Sequence, residues 1–76
     1  MNYSEILGAA KYHHAIAISQ PRKSRHSFTG QCVDVFFDSP DELIRFQRII
    51  EYKINHFVAV SYESDYARVR VPCIVK

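Results

Sequence analysis

The chain has 76 residues, enough for one domain spanning 1–76 and no more. Hydrophobic residues make up 47% and charged residues 24%, a globular balance that excludes disorder, while a formal charge of +2 is too small by itself to mark a nucleic-acid binder. A chain of this size buries only roughly 60% of its unfolded surface, so its core is thin and its stability marginal.

In chain order, residues 4–11 (Ser-Glu-Ile-Leu-Gly-Ala-Ala-Lys) read as a short helix and residues 14–18 as an alternating strand. One long helix through Ser19 competes with that reading, because alanine favours helix and only the isoleucines favour strand. Residues 20–30 form a polar, basic connection. Residues 31–37 alternate, with Val33, Val35 and Phe37 on one face and Cys32, Asp34 and Phe36 on the other. Ser39-Pro40-Asp41-Glu42 then carries a capping hydroxyl, a first-turn proline and a capping-box glutamate, the start of a helix that ends near Asn55. Leu43, Phe46, Ile50 and Ile54 define its apolar face, widened by Ile49, and Arg45, Arg48 and Tyr52 fall on the opposite face. Residues 57–62 and 67–75 read as two more strands joined by the polar turn Glu63-Ser64-Asp65, with Val69, Val71 and Cys73 inward and Arg68 and Arg70 outward. Pro72 marks the last strand as an edge strand or as the end of its ladder. The fold class is α+β, in the order α-β-β-α-β-β, with the helices on one face of an antiparallel sheet. The two halves are similar in length, which suits either a doubled αββ unit or coincidence.

The candidate contact residues fall into groups. Arg22, Lys23, Arg25 and His26 cluster in the first hairpin connection, where they either reach a phosphate backbone or simply keep the loop soluble. Arg68 and Arg70 on the last strand, and Arg45 and Arg48 on the helix, add positive charge. Asp34, Asp38, Asp41 and Glu42 form an acidic patch, three of whose members are accounted for by helix capping and the helix dipole. The patch lacks the alternation and glycine of a calcium loop, but acidic surface can imitate nucleic-acid phosphate to a basic groove. Tyr52 beside arginine has the composition of a protein-interface hot spot, and Tyr66 sits at a turn.

Nothing in the sequence points to chemistry. His13, His14, His26 and His56 have no ligand spacing for zinc, and adjacent histidines on a strand face opposite ways. Cys32 and Cys73 form no CxxC and read as packing residues in a reducing compartment. With Gly8 and Gly30 as the only glycines, phosphate-binding and nucleophile-elbow motifs are absent. The expectation is a non-enzymatic protein without metal or cofactor. The N-terminus has no leader-like basic and apolar stretch and no apolar run reaches 18 residues, so a soluble, cytoplasmic protein without membrane contact is expected.

The junction Val35-Phe36-Phe37-Asp38-Ser39-Pro40-Asp41-Glu42-Leu43, in so short a chain, resembles small phage or mobile-element accessory proteins, among them compact α+β anti-CRISPR and other anti-defence inhibitors. The resemblance implies stoichiometric inhibition of a host protein or protein–nucleic-acid complex through a charged and aromatic surface. A nucleic-acid-binding regulator using residues 22–26 is the alternative, and homodimerisation through the Pro72 strand suits so small a core.

Overall fold

A computed structural model describes residues 1–25, 27 and 29–73; His26 and the end of the last expected strand lie outside the described residues. The first helix, α1 (Tyr3–Tyr12), starts one turn-defining residue earlier than its apolar pattern suggests. Asn2 is its cap: the Asn2 side chain accepts the Glu5 N–H at 2.9 Å, and the Glu5 carboxylate accepts the Asn2 N–H at 3.2 Å. His13 closes the helix and His14 turns the chain with φ 62°, which rules out a single helix through Ser19.

The strand expected at 14–18 is correspondingly short, β1 (Ala17–Ile18). Pairing then lapses at Ser19 and resumes in β2 (Arg22–Lys23), so the first two basic residues of the connection belong to a strand and not to a loop. Ser19 bridges the lapse: its N–H donates to the Asp34 carbonyl at 2.8 Å and its hydroxyl accepts the Asp34 N–H at 2.9 Å. The remaining elements are β3 (Gln31–Phe37), α2 (Pro40–Ile54), β4 (Ala59–Tyr62) and β5 (Ala67–Pro72).

All pairings are antiparallel and the sheet order is β1-β3-β5-β4, with β2 following β1 along the edge of β3. Each half of the chain contributes a helix and a hairpin, and the second strands of the halves, β3 and β5, meet at the centre. The α+β class and the element order expected from sequence hold, with the first strand split in two.

Ser39 caps α2 as expected, accepting the Glu42 N–H at 3.4 Å. The expected capping box is only half formed, because the Glu42 carboxylate turns instead toward His13 at 3.8 Å and Arg45 at 3.5 Å. Asn55 ends the helix in the left-handed region. Glu51 then ties the helix to the sheet by accepting the Val58 N–H at 3.0 Å.

Both helices pack on one face of the sheet. Ile6 and Ala10 from α1 and Leu43, Phe46 and Ile50 from α2 meet Val33, Val35, Phe37, Val69, Val71 and Cys73 in one cluster. Each large side chain fully buried there contributes about 1.5–3 kcal/mol, against backbone entropy of similar total size. Two sequence expectations change. Ile49 does not widen the apolar face; it is 42% exposed, because the core-facing stripe is already filled by Leu43, Phe46 and Ile50. Of the two readings of Pro72, the end of a ladder holds and the edge strand does not: β5 is central, Pro72 sits beyond Arg70, where the pairing with β4 has ended, and β5 has no free edge along Ala67–Arg70 for the expected homodimerisation. Since the neighbouring Cys73 N–H points to β3 (Gln31 carbonyl, 3.1 Å), the amide that proline lacks would face the vacant side, and no ladder bond is lost.

Candidate functional site

With the helices on one face, the other face of the sheet presents the alternate residues. Its central rungs are the cross-strand pairs Phe36–Arg68, Asp34–Arg70 and Cys32–Pro72. The flanking strands offer Ala17, Ala59 and Ser61 at the matching positions, small residues that leave the central side chains standing above the edges. Arg22, opposite Cys32, completes this face.

Asp34 is the one buried charged residue among the described residues. Its Oδ2 accepts from Arg22 Nη2 at 2.8 Å and its Oδ1 from Arg70 Nε at 3.2 Å. One carboxylate therefore orients two guanidiniums whose outer portions stay in water. This removes Asp34 from the acidic patch expected from sequence: it is neither exposed nor beside the helix cap. It also takes Arg22 out of the basic loop. Sequence alternation does place Asp34 on the outer face, but its partners lie 12 and 36 residues away, and only the register of β2 and β5 reveals them.

The basic loop itself is built from hydroxyls. The carbonyl of Gln31 accepts from Ser27 Oγ at 2.6 Å, from Thr29 Oγ1 at 2.9 Å and from the Cys73 N–H at 3.1 Å. Gly30, at φ 81°, makes the turn that brings the chain back into β3. Lys23 and Arg25 remain exposed at this end of the sheet; His26 lies outside the described residues. Where the loop faces residues 56–59 there is a cleft of about 350 Å³, whose lining includes Ser24, Ser27, Cys32, Phe57, Arg70 and Pro72.

The opposite end of the sheet is acidic. Asp38 and Asp41 are exposed at the start of α2, and a smaller cleft of about 150 Å³ brings Asp38 together with Glu63 and Asp65 of the β4–β5 turn. Glu63 and Asp65 belong to this patch although the sequence reading treats them only as turn residues. The seven residues of β3 set the basic and acidic ends about 20 Å apart.

The outer side of α2 is a third surface. Arg45, Arg48 and Tyr52 are exposed as expected, and Tyr52 is 86% exposed. Ile44 and Ile49, also exposed, stand on the two shoulders of this strip, which spans about 140° of the helix circumference. Arg48 has no carboxylate partner among the described residues, whereas Arg45 shares Glu42. Helical spacing assigns Ile49 to the core face, yet it is exposed, as is Ile44.

The residues considered for chemistry do not assemble. His13 is held by ring contacts to Tyr12 and Phe46, and His14 is in the turn after α1, not on a strand. Among the described residues no three His, Cys, Asp or Glu side chains come together to hold a metal ion. Cys32 and Cys73 are free and buried, and burial pushes the Cys73 thiol above its ordinary value. No helix among the described residues is long and apolar enough to cross a membrane. What the fold and its surfaces define is a small α+β domain with an open, arginine-bearing sheet face and an exposed Tyr/Arg/Ile helix face. No protein family, curated protein or solved structure matches the chain.

Proposed function

We propose that this chain is a non-catalytic protein-binding module that docks through the outer face of α2 on a larger nucleic-acid-processing assembly, in the manner of the small phage or mobile-element inhibitors it resembles. The observation that carries the reading is the strip of Ile44, Arg45, Arg48, Ile49 and Tyr52. Two isoleucines and a tyrosine face solvent on a helix whose inner face already fills the core. Tyrosine and arginine with apolar shoulders is the composition of an interface centre, where burial of the rings and desolvation of arginine contribute most of the affinity. Inhibition would be stoichiometric, by occlusion, and in the host cytoplasm; the two buried free thiols suit a reducing compartment.

The loop-based nucleic-acid reading is weakened because Arg22 lies in β2 and pairs with Asp34 on the outer sheet face, rather than standing in the loop beside Arg25. The docking reading is tested by purifying complexes at moderate salt from cells of the natural host. A one-to-one complex with a host protein that survives gel filtration, and that Arg48→Glu with Tyr52→Ala abolishes while circular dichroism stays native, supports it. Equal recovery of partners by the double variant sinks it.

A further inference from the structure

We propose that the outer face of the sheet, independently of the α2 surface, binds single-stranded nucleic acid, with phosphates along Arg22, Arg70 and Arg68 and one base in the cleft beside Phe57 and Pro72. Both helices pack on the inner face, and Phe36, Arg68 and Arg70 keep part of their surface in water. Three arginines stand there against one carboxylate, Asp34, so the face carries a net positive charge.

The arrangement of that charge is as telling as its sign. Arg68 has no carboxylate partner among the described residues, although it lies on a central strand with Phe36 across from it. Arg70 spends its Nε on Asp34, with no hydrogen bond from its terminal amines among the described residues, and Arg22 spends a single Nη2. A guanidinium has five donors, so each keeps enough for a phosphate contact while its orientation is set in advance. Arg68 and Arg70 are two residues apart on one strand, about 7 Å along the sheet, which lays out a row for an extended backbone.

Rings lie at both ends of that row. Phe36 and Tyr66 meet edge to face with centroids 5.7 Å apart, and Tyr66 is 41% exposed. At the other end Phe57, 84% exposed, borders the cleft whose floor includes Cys32 and Pro72. At about 350 Å³ the cleft is large enough for a nucleobase, and Ser24 is among its lining residues. A row of cationic residues with exposed rings at both ends suits a single strand, whose bases stack; a duplex offers no unstacked base to these rings. An acidic polypeptide would satisfy the arginines but has no use for the rings and the cleft.

The test is fluorescence anisotropy with a labelled oligothymidylate of about 12 nucleotides, the same-length duplex, and a polyglutamate competitor of equal charge. Binding in the range of about 1–100 µM at low salt is expected, with log K falling against log salt at a slope of about −2 for three phosphate contacts. Arg68→Gln, which breaks no ion pair, reduces the slope by about 0.7. Tyr66→Ala and Phe57→Ala each weaken binding at least about fivefold, as loss of base stacking requires. Lys11→Gln and Lys53→Gln, on the helices, change nothing beyond error. Absence of binding, equal affinity for duplex, equal displacement by polyglutamate with no effect of the ring substitutions, or sensitivity to Lys11 and Lys53 equal to that of Arg68 would each overturn the proposal.

Discussion

Asp34→Asn isolates the interaction on which the outer sheet face depends. In the native protein the Asp34 side chain is 9% exposed and meets Arg22 at 2.8 Å and Arg70 at 3.2 Å. Breaking a fully buried ion pair costs 3–5 kcal/mol, about, when the orphaned charge stays buried. Here the two arginine side chains are 47% and 35% exposed, so after the substitution both rehydrate and most of that penalty disappears. What is lost is two charge-assisted hydrogen bonds, about 1.5–3 kcal/mol each, less the desolvation cost that the buried carboxylate no longer carries. The net expectation is a destabilisation of about 2 kcal/mol. A domain of this size has about 4–11 kcal/mol in total, and each kcal/mol moves Tm by about 4–8 °C, so Tm should fall by about 8–16 °C. Arg22→Gln alone should cost less, about 0.5–1 kcal/mol, because Arg70 still neutralises Asp34 and Arg22 is the more exposed partner. Urea unfolding followed by circular dichroism, with Asp34→Asn, Arg22→Gln and the double variant, measures both quantities and their coupling. An Asp34→Asn protein within 0.5 kcal/mol, about, of the parent, or single effects that simply add in the double variant, would refute this account of the ion triad.

Three further outcomes follow from the same structure. Gly30→Ala should cost about 1 kcal/mol by thermal melting: φ is 81° and nothing lies within 4 Å of an added Cβ, so backbone strain is the whole effect. Ile49→Arg, at an exposed shoulder of α2, should leave stability within about 0.5 kcal/mol, whereas a true core residue at that position would lose several times as much. Burial raises the Cys73 thiol above its ordinary 9.0, so the folded state holds the proton that the unfolded state gives up. That contribution is complete below pH 9.0 and declines as pH rises beyond it; Cys73→Ala should show a correspondingly shallower alkaline loss of stability than the parent.

Elements of this chain are legible in the sequence where local physics decides the outcome. Ser39-Pro40 and the run Leu43, Phe46, Ile50 define α2 because capping and helical spacing act within a few residues. Val33, Val35 and Phe37, with Val69 and Val71, declare their strands by alternation. The split first strand is different. Nothing near Ser19 says that its hydroxyl will take the Asp34 N–H, so Arg22 and Lys23 read as loop when they extend the sheet. The same non-local register hides the arginine partners of Asp34 and the central place of the Pro72 strand. Ile49 differs for another reason: its spacing assigns it to the apolar face, but Leu43, Phe46 and Ile50 already fill the core-facing stripe and leave it exposed.

The central claim, that the outer face of α2 is a protein-docking surface, is tested most directly by site-specific photo-crosslinking in the natural host. A photoreactive phenylalanine placed at Tyr52, which is 86% exposed and contributes nothing to the core, is compared with one at exposed Ser64 on the β4–β5 turn. The account predicts one discrete adduct with a component of a nucleic-acid-processing assembly from position 52, lost when Arg48→Glu is added, and no adduct from position 64. The same adducts from both positions, or none from position 52 in a folded protein, would contradict it.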